Sequence, residues 1–202
     1  MRIIGITGGV GAGKSALLSY IKEHYSCRVI LADEAAHEVE QPGELCYDKL
    51  VALLGQDICD KQGHIVKSRM AERIFGDDAL LKRVNEIVHP AVKQYIIQEI
   101  EKEKARGEVA FFFIEAALLI EERYDLICDE LWYIYTDVQV RRERLRNTRG
   151  YSDEKIDAIM GKQLSEEAFR AHCQVVIDNS GALETAFEQI DAALGGIQNG
   201  SK

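Results

Sequence analysis

The sequence contains little of what builds disordered, disulfide-stapled or membrane-embedded proteins. Only two of its 202 residues are proline and no tract is of low complexity, which excludes a disordered chain. The five cysteines form no Cys-x-x-Cys pair and are odd in number, so neither a disulfide framework nor a zinc site is expected. The longest apolar runs, 109–114 and 131–134, fall far short of the ~20 residues that a membrane helix needs. We therefore expect reduced cysteines and no membrane partner.

Basic residues are also in deficit, with 25 lysines and arginines against 34 aspartates and glutamates for a formal net charge of −9. A chain this acidic repels a phosphate backbone unless its basic groups are gathered locally, so we expect no nucleic-acid partner. The first residues also show no basic stretch followed by an apolar segment and a small-residue cleavage site. Together with the reduced cysteines, this predicts a soluble, cytoplasmic protein.

What is present is an alternation of short apolar runs with helical patterns, which is typical of an α/β domain. A chain of 202 residues with 47% hydrophobic content is long enough for one such domain. Apolar runs of strand length, as expected of parallel strands buried on both faces, lie at 2–7, 27–31, 109–114, 130–136 and 175–177. Between the second and third runs the pattern is mostly helical. We predict a three-layer fold with a parallel five-stranded sheet, helices on both faces and a helical insertion.

The most specific motif is Gly8-Gly-Val-Gly-Ala-Gly-Lys-Ser15, which fits the pattern G-x-x-x-x-G-K-[ST] of a phosphate-binding loop. It lies where that loop must lie, between a predicted strand and a predicted helix. Glycines let successive N–H groups point at a phosphate, and the start of the helix adds a positive dipole. Lys14 is expected to reach the β- and γ-phosphates of a nucleotide, and Ser15 to bind Mg²⁺. The alternative is a glycine-rich turn with an accidental lysine.

Two acidic residues follow predicted strands at the places where parallel strands end near a common crevice. Asp33 comes after 27–31 and could accept the proton of an attacking hydroxyl while orienting it for phosphoryl transfer. Its alternative role is the N-cap of a helix that starts near Glu34. Glu115 ends the run 109–114, where an acid can hold Mg²⁺, directly or through a water. Its alternative role is an acid at a helix start, favoured by the helix dipole.

Five arginines within 141–149 reverse the local charge of an otherwise acidic chain. Arginine forks bind phosphate oxygens and could close over a triphosphate as a lid. The alternative is a solvated helix on which nearby acids pair with most of them. We expect one or two to be functional, with Arg149 the first candidate and Arg146 its rival. Gly150 is predicted to end the helix and to act as a hinge.

These residues, taken in order along nearly the whole chain, resemble the dephospho-CoA kinase family. The stretches that carry the resemblance are 4–15, Ala32-Asp33, Pro42-Gly43, His89-Pro90, 118–121, Gln163 and 176–181. The resemblance implies an enzyme that transfers the γ-phosphate of ATP, with Mg²⁺, to the ribose 3′-hydroxyl of dephospho-CoA in the last step of CoA synthesis. It also implies a core domain at about 1–32, 108–137 and 174–202, a helical substrate region at about 33–107 and a lid at about 138–173.

The resemblance also assigns roles to individual residues. Asp33 would be the catalytic base on the 3′-hydroxyl, and Asn179 would lie near the adenine. Lys14 and Arg149 are the other expected catalytic residues, although the lid arginines do not align with the family pattern without a gap. His37 and His89 would touch the acceptor, although a histidine before proline at a helix start is more often structural. The residues that would bind ATP are Gly11, Ala12, Gly13, Lys14, Ser15 and Ala16.

The chain departs from the family pattern at several positions. Leu31 stands where the first aspartate of an Asp-x-Asp pair is common, His37 where arginine is usual, and Ala117 where proline precedes Leu-Leu. Neutral histidine offers neither the charge nor the fork of arginine, which weakens the case for a tight phosphate contact at position 37.

One predicted function and two alternatives follow for the chain as a whole. We predict a dephospho-CoA kinase, an ATP-dependent phosphotransferase with an alcohol acceptor that acts as a monomer or weak homo-oligomer. A kinase for another small nucleoside or nucleotide is the enzyme alternative, with Leu31 and His37 marking a changed acceptor pocket. A regulator that binds ATP without transfer is the other, and it would have no need of Asp33.

Overall fold

The structure contains strands at the five apolar runs, separated by helical or turn segments. A computed structural model describes residues 1–195, so 196–202 of the predicted core segment 174–202 lie outside the described residues. The strands are β1 (Arg2–Thr7), β2 (Cys27–Leu31), β3 (Phe111–Glu115), β4 (Glu130–Tyr135) and β5 (Val175–Asp178). The helices are α1 (Lys14–His24), α2 (Ala32–Val39), α3 (Tyr47–Leu54), α4 (Lys67–Ile74), α5 (Asp78–Arg106), α6 (Val138–Arg149), α7 (Asp153–Met160), α8 (Glu166–His172) and α9 (Leu183–Leu194).

The strands form one five-stranded sheet in the order β2-β3-β1-β4-β5. β1 lies at its centre and pairs in parallel with β3 on one side and β4 on the other, and β5 pairs in parallel with β4. Non-consecutive neighbours of this kind need crossover connections. Helices supply the other connections, whereas turns and a short 3-10 helix, Tyr124–Leu126, connect β3 to β4. The predicted α/β fold with a parallel five-stranded sheet is confirmed.

Aromatic residues fill both faces of the sheet. Phe113 of β3 and Trp132 of β4 meet edge to face at 6.1 Å, and both are fully buried. Tyr133 points to the opposite face because successive side chains of a strand alternate. There its ring stacks on Phe169 of α8 at 4.7 Å. The sheet is therefore a middle layer with aromatic side chains packed on both of its faces.

The chain divides into two compact units. One comprises Met1–Val29 and the chain from Gly107 onward, and contains the glycine-rich motif and the arginine cluster. The other comprises Ile30–Arg106, where α2 packs on α5 and Val39, Leu50 and Ile96 are fully buried. No helix within 1–195 combines the length and apolar character needed to cross a bilayer.

His89-Pro90 does not lie at a helix start, as the sequence had suggested, but inside the 29-residue α5. The start of α5 is set earlier, where the Asp77 carboxylate accepts the N–H of Leu80 at 2.9 Å. Proline inside a helix removes one backbone hydrogen bond. Burial of apolar side chains on both sides of it, such as Val84 and Ile96, keeps the helix continuous.

The carboxylate of Asp191 in α9 binds two tyrosines, one in α1 and one directly after it. Its Oδ1 accepts the phenol O–H of Tyr20 at 2.8 Å and that of Tyr25 at 2.6 Å. The Tyr20 ring also stacks on Phe187 at 4.0 Å. Burial, and next the hydrogen bond to Asp191, raise the pKa of Tyr25 above its ordinary value. The phenol is thus stabilised in its neutral form in the folded protein.

We expect the Tyr25–Asp191 hydrogen bond to make the free energy of unfolding depend on pH in the alkaline range. A raised folded-state pKa contributes stability that is complete below the unfolded pKa of about 10 and is lost as the pH rises above it. Tyr25→Phe should lower the free energy of unfolding near neutral pH by about 1 kcal/mol and flatten its decline above about pH 10. Urea unfolding of both proteins across that range measures the two slopes. Equal slopes would contradict the assignment.

Candidate active site

The predicted phosphate loop, residues 8–15, begins after β1, and its residues 8–13 join that strand to α1, which begins at Lys14. Gly11 and Gly13 have φ angles of 79° and 81°, in the left-handed region that favours glycine. At Gly8 a Cβ would lie 2.6 Å from the carbonyl oxygen of Ile134 in β4. The loop therefore needs glycine both for its conformation and for its close approach to the neighbouring strand.

The carbonyl group of Ala12 anchors the loop to the ends of two strands. It accepts Thr136 Oγ1–H at 3.1 Å and Asn179 Nδ2–H at 2.8 Å, and Arg144 in turn donates to the Asn179 carbonyl at 2.9 Å. Because the C=O and N–H of a planar trans peptide point in opposite directions, the N–H of Gly13 faces away from these donors. The hydrogen bonds to the buried Ala12 carbonyl thus fix the direction of the Gly13 N–H, a donor to which a phosphate can bind.

Asn179 is itself almost completely buried, with 1% of its surface exposed. Its Oδ1 has no hydrogen-bond partner within residues 1–195. The sequence resemblance implied a place near the adenine for this residue, and the structure adds its bond to the loop, which sequence reasoning had not identified.

Lys14 is the first residue of α1, and its ammonium group lies between two acceptors. It donates to the carbonyl of Gly8 at 2.9 Å and lies 3.4 Å from Glu115 Oε1. Both side chains are mostly buried, at 16% and 18% exposure. Glu115 is the last residue of β3 and turns rather than a helix follow it, so its alternative role at a helix start was wrong.

Ser15 and Ala16 lie in the first turn of α1, where both are exposed. Residues 1–195 contain no group of three or more His, Cys, Asp or Glu placed to hold a metal ion. One hydroxyl from Ser15 and one carboxylate from Glu115 suit Mg²⁺, which usually keeps waters and substrate phosphates as its other ligands. These donors fit the cation expected with a nucleotide.

The arginines of α6 divide into two faces. Arg142 and Arg146 pair with Asp153, Arg142 at 3.1 Å and Arg146 at 2.5 Å, and Arg142 also pairs with Asp157. Arg149 is exposed, with its guanidinium carbon 6.0 Å from the centre of the Tyr151 ring. Its contact with a γ-phosphate stays a prediction.

The other face of α6 reaches the phosphate loop. Arg141 Nε donates to the carbonyl of Val10 at 2.9 Å, and Arg144 lies against Ala12 and Asn179. Sequence reasoning favoured Arg149 and Arg146 over these two. The available signal was spacing, because Arg141 and Arg144 flank the buried Leu145 on one helical face.

The predicted acceptor residues all belong to the unit Ile30–Arg106. α2 begins at Ala32 directly after β2, with Leu31 in the N-cap position, so the alternative role of Asp33 as an N-cap was wrong. Asp33 is exposed in the first turn, and His37 follows one turn later, half-buried. His89 is half-buried within α5.

Comparison with known proteins gives consistent results over nearly the full chain. A family model for dephospho-CoA kinase matches residues 2–185. A dephospho-CoA kinase from Aquifex aeolicus is 33% identical over 191 residues, 94% of either chain, and one from Shouchella clausii is 31% identical over 191 residues, 95% of this chain and 96% of that protein. A crystal structure from Thermus thermophilus, 26% identical, has a TM-score of 0.77 over 96% of both chains. Dephospho-CoA kinase from Campylobacter jejuni, 19% identical over 96% of both chains with a TM-score of 0.71, shows the same fold.

Gly13→Ala should impair nucleotide binding. The new Cβ would lie 2.5 Å from Asn179 Nδ2 and would hold an unfavourable φ of 81°. We expect ATP affinity to fall by about tenfold or more. Gly195→Ala is the matched control, because its φ of 93° is also positive but no described atom lies within 4 Å of its Cβ. Isothermal titration with ATP measures both, and equal affinities would contradict the role given to Gly13.

Glu115→Gln should strengthen ATP binding when Mg²⁺ is removed. The carboxylate holds Lys14 and repels a polyphosphate, so its neutralisation should tighten binding by about fivefold, or roughly 1 kcal/mol. Glu108→Gln removes the same charge from an exposed position and serves as the control. Titration in the presence of a chelator measures the change. Weaker binding by Glu115→Gln would show that the carboxylate supports the loop instead of competing for Lys14.

Proposed function

This chain belongs to the dephospho-CoA kinase family, and we propose that Lys14, Asp33 and Arg149 carry out the phosphoryl transfer that defines it. The chain is an ATP- and Mg²⁺-dependent kinase whose acceptor is the ribose 3′-hydroxyl of dephospho-CoA. This phosphoryl transfer is the last step of CoA synthesis. The observation that carries the assignment of roles is the phosphate loop, anchored through Ala12 with Lys14 beside it.

The phosphate loop supplies positioning and charge. We propose that the N–H groups of Gly11 to Ala16 and the start of α1 bind the β- and γ-phosphates. Lys14 exchanges Glu115 for these phosphates when the nucleotide binds. Bound Mg²⁺, held through Ser15 and Glu115, would neutralise charge on the β- and γ-oxygens. Asn179, which holds the Ala12 carbonyl, would lie near the adenine.

We propose that Asp33 is the general base. In the transfer, the bond between the γ-phosphorus and the oxygen that bridges to the β-phosphate breaks, and a bond to the 3′-oxygen forms. The hydroxyl proton passes to the Asp33 carboxylate, and ADP leaves. The exposed side chain at the first turn after β2 supports this role, because it is open to an acceptor. His37, one helical turn away, and His89 would contact the same acceptor.

We further propose that 138–173 acts as a lid and that Arg149 stabilises charge on the transferred group when the lid closes. Gly150, with a φ of 61° at the end of α6, supports a hinge there.

A cytoplasmic location is supported by five free cysteines. Burial raises the pKa of Cys46 and of Cys173 to about 11, which keeps these thiols protonated and unreactive. The expected oligomeric state is a monomer or weak homo-oligomer.

Asp33→Asn should separate binding from chemistry. We expect ATP affinity within about twofold of wild type and turnover lower by ~10² or more, because only proton acceptance and orientation are lost. Glu34→Gln removes the neighbouring exposed acid of the same turn and should keep turnover near wild type. Steady-state assays with dephospho-CoA, alongside ATP titration, measure both quantities. Equal loss of binding and turnover would mean that Asp33 supports the fold, and preference for a free nucleoside acceptor would contradict the substrate assignment.

A further inference from the structure

Val10, at the tip of the phosphate loop, has both of its backbone polar groups bound by side chains, one from Arg141 on α6 and one from Gln163 beyond that helix. Its N–H donates to Gln163 Oε1 at 3.1 Å, and its carbonyl accepts Arg141 Nε–H at 2.9 Å. Arg141 Nη2 also donates to the same Gln163 oxygen at 2.9 Å. The three residues form a closed ring of hydrogen bonds, which we call the Val10 clasp.

The loop glycines make room for this clasp. A Cβ at Gly9 would overlap the guanidinium group of Arg141, and a Cβ at Gly11 would lie 3.0 Å from the Arg141 backbone oxygen. Positions 9 and 11 are free of side chains, so α6 approaches the loop closely enough for Arg141 to reach Val10. Position 10 is a variable position of the motif, so the motif by itself does not fix its conformation.

Arg141 also differs from its neighbours in charge balance. Arg142 and Arg146 are paired with carboxylates, whereas no carboxylate within residues 1–195 pairs with Arg141. The Arg141 side chain is partly buried, and that burial lowers its pKa from the ordinary value. Arginine nevertheless stays protonated in proteins. A positive charge removed from water without a counter-ion favours an anion at the adjoining loop.

We propose that Arg141 is a positioning residue of the phosphate loop, that it fixes Val10 together with Gln163, and that its guanidinium, which has no carboxylate partner within residues 1–195, favours a bound polyphosphate. This inference rests on the proposed role of residues 8–15 in ATP binding. Gln163 lies between α7 and α8, inside the predicted lid. The clasp therefore connects the conformation of that segment to the tip of the loop that binds the nucleotide.

The test compares Gln163→Ala, Arg141→Gln, the double variant and Arg141→Lys with wild type in assays of KM for ATP and kcat. Each of the first two should raise KM for ATP by about tenfold, with a smaller change in kcat. The double variant should resemble either single one instead of showing about a hundredfold rise, because the residues act as one unit. Arg141→Lys keeps the charge but loses the fork, so it should recover only part of the loss. Arg142→Gln is the matched control and should leave KM near wild type.

Amide hydrogen exchange supplies a readout that does not depend on turnover. In Gln163→Ala the Val10 N–H should exchange about tenfold faster than in wild type, while amides of β1 are unchanged. Gln163→Glu keeps the acceptor oxygen and should restore slow exchange. This comparison remains decisive even if the arginine variants fold poorly.

The outcomes are distinct. Additive effects, full rescue by Arg141→Lys, or unchanged Val10 exchange in Gln163→Ala would overturn the clasp as a positioning device. An unchanged KM in both single variants would do the same while leaving ATP binding at the loop intact. Failure of the wild-type protein to bind ATP would instead refute the proposed role of residues 8–15, on which the clasp depends.

Discussion

The hydrogen bonds to the Ala12 carbonyl are the constraint on which the rest of the phosphate loop depends. Thr136 follows β4 and Asn179 follows β5, so the parallel sheet places both donors at the carboxyl edge where the loop begins. A loop with glycines at positions 8, 9, 11 and 13 has high backbone entropy when free. Anchoring one buried carbonyl to two strand ends lowers that freedom before a nucleotide binds, which is the form of pre-organisation that phosphoryl transfer needs.

Two basic side chains beside the loop, Lys14 and Arg141, are placed to interact with a bound anion. Lys14 is held by Glu115 and by the Gly8 carbonyl, while Arg141 has no carboxylate partner in the described chain. A polyphosphate would take over Lys14 and meet the Arg141 charge directly. The protein as a whole carries a formal charge of −9, so a guanidinium without a carboxylate partner beside the loop would favour an anion there.

The sequence predicted the features that local pattern determines. The sheet followed from five apolar runs, and the motif at residues 8–15 specified a strand–loop–helix unit that the structure contains. Spacing around Leu145 groups Arg141 with Arg144 but does not by itself rank the arginines, because whether that face of α6 meets the loop depends on how Leu145 packs, a tertiary property. The sequence also misplaced the start of α5, because Pro90 is a strong local signal for a boundary, whereas the Asp77 cap and the buried apolar face outweigh it.

A crystal structure with Mg²⁺ and a non-hydrolysable ATP analogue would test the anchored loop most directly. The account predicts that the Ala12 carbonyl keeps its bonds to Asn179 and Thr136 while Lys14 Nζ moves from Glu115 to the phosphates. A polyphosphate bound away from residues 8–15, or an Ala12 peptide turned round toward the ligand, would contradict it.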